Sequence, residues 1–312
     1  MNELVSVIVL SYKNIPGIYE TVDSILMQDY ENIEIIISDD ATPGFENHEP
    51  SIATYIDEKK SDNIKNIIFN TRTENVGTVR NINSGIEKAH GKYIKLIASE
   101  DCFTSSKTLT KYVDFMQEND FKIVFSKMRG VTQEGEFQYV LASCESNYDL
   151  LKSLNRQQTL DRLFRRDFLP APASFIDVKL FEEQGLFLED TRLIEDYPYW
   201  IHLTMNDVKF GYIDEVLIDY KLSGSGSGTY SEAFMQDMFV IYQKYIFPYD
   251  KRFGVFQGIY NKLKQAGLNF YMTRAKWFKM TRSQRLVASI KYFPFYMFVQ
   301  LQNIKIKLQN KK

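Results

Sequence analysis

The sequence predicts an α/β fold, a mostly parallel sheet carrying helices, followed by a helical C-terminal region. Three observations predict it. Short β-branched apolar runs alternate with helix-periodic stretches over the first hundred residues, the pattern of parallel strands joined by crossover helices. The strands are nearly continuous apolar runs, as in a sheet covered on both faces. Beyond Tyr230 the periodicity is helical to the end.

Val5–Leu10 is the first strand. Asn14 caps the next helix, Pro16 sits in its first turn, and Ile15, Ile18, Val22, Ile25 and Leu26 repeat at helical spacing to about Gln28. Ile33–Ile37 is a second strand running into Ser38, Asp39 and Asp40. A helix over 51–60 and a third strand over 64–69 follow. Asn75-Val-Gly-Thr-Val-Arg-Asn-Ile-Asn-Ser-Gly85 leads into a helix reaching Ala89, closed by Gly91. Tyr93–Ala98 is the central strand, and it runs straight into Glu100 and Asp101.

A helix from Ser106 to Asn119, a strand over 122–126 and a hairpin turn at Gln133-Glu-Gly-Glu come next. Residues 143–167 are polar and helical in pieces, and Pro170–Phe175 reads as an irregular, positioned loop. A helix from Val178 is closed by Gly185; another spans Glu195 to Met205. Residues 208–213 and 216–220 read as a strand pair, and the Gly/Ser run 223–228 as a flexible stretch. The expected division is a catalytic domain over 1–225 and a helical, basic region over 226–312.

Composition narrows the class. The 312 residues are 44% hydrophobic and 14% aromatic, which excludes a disordered chain. Cys102 and Cys144 are too few for a disulfide framework or a thiolate zinc site. Met1-Asn-Glu-Leu has no basic leader, so a cytoplasmic protein is expected. The net charge of -2 hides an asymmetry, since residues 268–312 hold ten Lys or Arg and no Asp or Glu. That tail, interleaved with aromatics, suits an anionic membrane surface on the inner face of the membrane. A basic face packed on the catalytic domain, or a homodimer through the C-terminal region, accounts for it equally. Nothing else reads as a nucleic-acid module.

Four polar clusters fall where strands end: Ser11-Tyr12, Asp39-Asp40, Asn75 to Arg80, and Ser99-Glu100-Asp101. Each alone is ordinary turn chemistry; together they line one edge of a parallel sheet, where open α/β sheets bind ligands. Paired carboxylates there suit a hard divalent cation that also touches substrate phosphates.

These segments, with Gly91-Lys-Tyr-Ile-Lys-Leu-Ile-Ala-Ser-Glu-Asp, resemble in order and spacing the signatures of the GT-A inverting glycosyltransferases of family 2, over roughly residues 4–222. The resemblance implies a GT-A, Rossmann-like mixed sheet. It also implies a nucleotide-diphospho-sugar donor, a UDP-sugar for preference, with Mn2+ or Mg2+ as cofactor, and a glycan or lipid-linked glycan acceptor. By position, Ser11, Tyr12, Asp39 and Asp40 would hold the nucleoside, Asp39 receiving a pyrimidine imino N–H. Arg80 would lie near the base or diphosphate. Asp101 would ligate the metal, and Glu100 would reach the ribose, the metal or a metal-bound water. Glu195-Asp196 resembles the family's second acidic element, with Asp196 as general base and Glu195 shaping its hydrogen bonds. Lys221 would supply charge where relatives carry a basic residue. The chain departs from the pattern at Ala98 and Glu100, where aspartates are common, and at Ser223, which stands in place of a histidine. A metal-dependent nucleotidyltransferase would want a basic Gly-rich loop after the first strand, which Ser11-Tyr-Lys-Asn-Ile-Pro lacks. A non-catalytic partner in a glycan assembly complex is the other alternative, opposed by retention of both acidic pairs.

Overall fold

The structure, a computed structural model, describes residues 2–132, 137–140, 154–222, 231–276 and 279–293. The chain divides into two compact units, 1–227 and 228–312. In the first, the elements in order are β1 (Val5–Ser11), α1 (Ile15–Leu26), β2 (Ile33–Asp39), α2 (Glu49–Lys59), β3 (Ile64–Thr71), α3 (Thr78–Glu87), β4 (Tyr93–Ala98), β5 (Cys102–Phe103) and α4 (Thr108–Glu118). They are followed by β6 (Ile123–Val131), β7 (Phe137–Val140), α5 (Arg156–Leu163), β8 (Ser174–Asp177), α6 (Val178–Gln184), α7 (Asp196–Met205) and β9 (Gly211–Lys221).

One mixed sheet has the order β3-β2-β1-β4-β8-β6-β9-β5, with β7 paired to β6. The pairs β1/β2, β1/β4 and β2/β3 are parallel, and β8 joins β4 to β6 by antiparallel ladders. On β1, Val5, Val7 and Val9 pack with Ile18, Val22 and Ile25 of α1. Ile8 points the other way, toward Gly85 of α3, where an added Cβ would come within 2.8 Å of its methyl. Period-two alternation in β1 thus fills two cores at once. Asn14 caps α1 as its sequence implies, its Oδ1 accepting the Gly17 N–H at 3.2 Å.

Four expectations need correction. The loop over 170–175 contains a tight turn, Ala171–Ala173, and the short strand β8. Residues 208–220 form no strand pair; Gly211–Lys221 is one strand running parallel to β6, its register shifting around Lys127. Its polar pair remains in the strand because Asp214 meets Lys127 at 2.5 Å and Glu215 meets Lys111. The strand expected over 122–126 continues to Val131. Cys102–Phe103 is a strand the sequence did not suggest, paired to Asp219 and Ile218 of β9. The hairpin turn at 133–136, residues 143–153 and the Gly/Ser run lie outside the described residues.

The second unit contains α8 (Glu232–Val240), α9 (Gln257–Ala275) and a helical stretch over 282–293. Glu232 at the start of α8 takes Lys276 at 3.2 Å and Lys279 at 3.1 Å, and buried Asp250 pairs with Arg252 at 2.7 Å. No described helix is long and apolar enough to cross a membrane.

Candidate active site

Parallel pairing brings the C-terminal ends of β1, β2 and β4 to one sheet edge. Asp40 N–H continues the β1/β2 ladder to the Ser11 carbonyl at 2.9 Å, and Ser99 N–H that of β1/β4 to Leu10 at 2.8 Å. Ser11, Asp39 and Asp101 are buried there, whereas Tyr12 is exposed with the Lys13 ammonium 4.9 Å from its ring centre.

Asp39 accepts the Thr42 N–H at 2.6 Å and the Thr42 hydroxyl at 2.7 Å. Burial raises its pKa against those bonds; Ser11, its register partner, favours the anion without reaching hydrogen-bonding geometry. A carboxylate has about four lone-pair sites, so acceptor capacity is left for an imino N–H. Lys13 and Ala41 hold positive φ values of 57° and 64° on either side of this contact. Such left-handed backbone costs roughly 1 kcal/mol or more per residue and collects at ligand sites.

Asp40 is occupied differently from its neighbour. Its Oδ1 takes Val76 N–H at 2.8 Å and its Oδ2 takes Gly77 N–H at 2.9 Å. These bonds fix the loop that opens α3. Gly77, at φ 92°, lies against Arg192, whose Cγ an added Cβ would approach to 2.3 Å. Arg192 donates to the Asn75 carbonyl at 3.0 Å. Beneath α3, Asn81 and Asn70 converge on Ser38, Asn81 Nδ2 on its carbonyl at 2.9 Å and Asn70 Nδ2 on its hydroxyl at 2.8 Å. Arg80 is exposed on α3 and pairs with Glu189 at 3.0 Å. Arg72, missed in the sequence, follows β3 and donates to the Arg80 carbonyl at 3.0 Å, while its Nε is buried without a hydrogen-bond partner among the described residues.

At the end of β4, Glu100 has φ 89°. Its N–H bonds the Gly17 carbonyl at 3.1 Å and the Thr21 hydroxyl at 3.0 Å, and its carboxylate takes Asn14 Nδ2 at 2.7 Å. Gly17 is required by this approach, because a Cβ there would stand 2.5 Å from Glu100 Cγ. Asp101 Oδ1 accepts the Lys221 backbone N–H at 3.0 Å, delivered by the β5/β9 pairing, and its Oδ2 is buried with no hydrogen-bond partner among the described residues. Burial pushes Asp101 up to about 7, opposed by the Lys221 N–H and the charge of Lys95. The Lys221 ammonium pairs with Glu20 at 3.1 Å.

Lys95, in mid-strand β4, was also missed. It is fully buried, donates to the carbonyls of Pro172 and Ser174, the latter at 3.0 Å, and is pushed down to about 7 by burial. Lysine inside the run Tyr93-Ile-Lys-Leu-Ile97 was the available signal.

A divalent cation fits this chemistry. A buried, unpartnered carboxylate oxygen calls for an occupant, and Asp101 with Glu100 offers hard oxygen donors. Among the described residues no three His, Cys, Asp or Glu side chains gather, so donor phosphates and water would complete the shell, as is usual for Mg2+.

The second acidic element opens α7. Asp196 Oδ1 accepts the Tyr197 N–H at 2.7 Å, and burial raises its pKa against that bond. Glu195 is the half-buried residue just before the helix. Trp200 is fully buried and donates to the Leu169 carbonyl at 2.7 Å, so it serves packing.

A mixed α/β sheet with polar strand ends and an unpartnered buried carboxylate frames a ligand site of the kind open α/β sheets carry. Residues 6–183 match the glycosyl transferase family 2 pattern, and the chain belongs to that family. An uncharacterized glycosyltransferase of Rickettsia felis is 29% identical over 228 residues, covering 73% of this chain and 34% of that protein. One from Methanocaldococcus jannaschii is 28% identical over 224 residues, covering 70% and 71%. The chain thus spans about a third of the length of the rickettsial relatives. In fold it is similar to a mannosyltransferase of Pyrobaculum calidifontis solved with GDP-Man and Mn2+, at TM-score 0.61 and 17% identity, covering 97% of this chain and 85% of that one. It is also similar to S. aureus TarS 1-349 solved with UDP-GlcNAc, at TM-score 0.56 and 18% identity, covering 90% and 74%. The fold is GT-A.

Proposed function

We propose that the protein is a metal-dependent, inverting glycosyltransferase that moves a sugar from a nucleotide diphosphate to a hydroxyl of a growing surface glycan. The observation that carries this reading is Asp101, buried at the end of β4 with Oδ2 unpartnered beside Glu100. Ser11, Tyr12 and Asp39 bind the nucleoside, and Asp40 holds the adjoining loop. Asp101 and Glu100 hold a Mn2+ or Mg2+ ion, which when bound supplies Lewis acidity that offsets charge on the departing diphosphate. Lys221 adds positive charge near by. Asp196 takes the acceptor hydroxyl's proton as its oxygen attacks the anomeric carbon and the bond to the diphosphate breaks, which inverts that carbon. UDP-sugars come first because Asp39 suits a pyrimidine imino N–H; the structural neighbours, solved with UDP-GlcNAc and GDP-Man, support testing both bases.

The second unit supports a peripheral hold on an anionic membrane. Leu286, Val287, Ile290 and Phe293 are exposed along one helical stretch that also carries Arg282, Arg285 and Lys291, a composition suited to headgroup contact. A lipid-linked acceptor would then be met at the surface.

The experiment is a nucleotide-sugar screen by thermal stabilisation with Mn2+, followed by donor hydrolysis. Stabilisation and hydrolysis by one donor class are expected. A chain that binds donors yet never releases free nucleotide is a scaffold instead.

A further inference from the structure

The turn that leads into α9 presents apolar side chains to water from a closely bonded base. Asp250 is fully buried and accepts three bonds from Arg252: the backbone N–H at 3.1 Å, Nε at 2.8 Å and Nη2 at 2.7 Å. Arg252 also donates to the Tyr260 hydroxyl at 3.3 Å, and the Phe253 ring stacks on Tyr260 with centroids 4.3 Å apart. Gln257, the first residue of α9, accepts the Phe253 N–H at 3.0 Å. Gly254, at φ 50°, supplies the left-handed backbone the turn requires. From this base Val255 is 93% exposed, Phe256 66%, Ile259 59% and Leu263 64%. Phe256, Ile259 and Leu263 stand at i, i+3 and i+7, so they share one helix face. An exposed apolar face of this kind marks an interaction site.

Charge decides the occupant. After Asp250 the sequence carries no Asp or Glu to residue 312, and Lys251, Arg252, Lys262 and Lys264 join the ten basic residues of 268–312. Lys251 and Lys262 are exposed and flank the apolar side chains in sequence. A second copy docked on this face would set those ammonium groups against their own kind, because a two-fold contact meets itself. An anionic lipid surface suits both parts of the face. Lysines stay at the headgroups on their flexible stems while apolar side chains enter below them.

We propose that Val255, Phe256, Ile259 and Leu263 form a membrane-inserting element, entering the headgroup boundary of an anionic lipid surface with Lys251 and Lys262 at its rim. The inference rests on the reading of the second unit as a peripheral membrane hold. It assigns an apolar anchor of that hold to the start of α9, an element other than the basic stretch over 282–293. The Asp250–Arg252–Tyr260 base fixes the turn before it meets lipid, so little ordering cost is left for binding.

The test measures sedimentation of the full chain with vesicles of phosphatidylglycerol and phosphatidylcholine at low salt. Withdrawing a large apolar side chain from water is worth roughly tenfold in affinity. Phe256→Gln combined with Ile259→Gln should therefore lose roughly 10- to 100-fold in vesicle affinity. The melting temperature should hold, because both side chains are exposed. Phe256→Trp, mixed with vesicles carrying brominated acyl chains, should add emission that those chains quench, above the native protein's own tryptophan signal. Native vesicle affinity in the double variant overturns the inference, as does an unquenched Phe256→Trp. If the double variant melts below the native protein, Phe256→Trp decides alone: quenching supports the inference and its absence overturns it. A native dimer that the same two substitutions dissociate, with vesicle binding unchanged, would give the face to a second copy instead. If the native chain ignores anionic vesicles, the membrane reading itself fails and the inference with it; if native and double variant bind alike, only the inference does.

Discussion

The buried ammonium of Lys95 donates a 3.0 Å hydrogen bond to the carbonyl oxygen of Ser174. It thereby ties β4, which ends in the candidate metal ligands, to the turn and short strand over 171–177. Lys95→Met keeps the volume and leaves the carbonyls of Pro172 and Ser174 unpaired. An unmade buried hydrogen bond costs about 1–3 kcal/mol, so urea unfolding should show a loss of roughly 2 kcal/mol. Native stability in Lys95→Met would mean that water or a shifted turn satisfies those oxygens.

The metal assignment is open to a simple comparison. UDP should raise the melting temperature more with Mn2+ or Mg2+ than with EDTA, and Asp101→Asn should erase that difference while leaving the fold intact. Equal stabilisation of the native protein by UDP in EDTA would overturn the role given to Asp101.

Acid stability should depend on Glu34. Burial works to raise its pKa, but the His90 N–H, the Ser6 hydroxyl, the His90 ring and Asn66 together hold it below the ordinary 4.5. A carboxyl group whose folded pKa is depressed contributes stability that is complete above its unfolded value and is lost as pH falls through the folded one. Melting temperatures of the native protein should therefore fall as pH drops below about 4.5, and Glu34→Gln should show a shallower fall from a lower start. Parallel curves for the two proteins would remove Glu34 from the account.

Vesicle sedimentation addresses the second unit. Each Lys or Arg near an anionic surface contributes about 1 kcal/mol, so the full chain should sediment with anionic vesicles at low salt and be released at high salt. Replacing Arg282, Arg285 and Lys291 together with Gln should weaken that binding. Indifference to vesicles would favour a packing or dimer role for this face.

The parallel core was legible because its strands carry β-branched apolar runs broken by polar strand ends, and β1, β2 and β4 fall where those runs are. β8 was not, since four residues behind Pro170-Ala-Pro-Ala show no alternation. Asp214-Glu215 looked like a turn because the lysines that hold it in the strand, Lys127 and Lys111, lie far off in sequence. The acidic pairs were visible by type and spacing, but not what occupies their oxygens. Asp39 and Asp40 are adjacent, yet one faces Thr42 and the other the loop at Val76 and Gly77.

The central claim is that the sheet edge and α7 form one inverting transfer site with Asp196 as its base. Turnover of Asp196→Asn, measured alongside donor affinity, tests it most directly. The account predicts a loss of roughly 10²–10⁴ in kcat, typical of general-base removal, with donor affinity nearly unchanged. Full turnover in Asp196→Asn would contradict it.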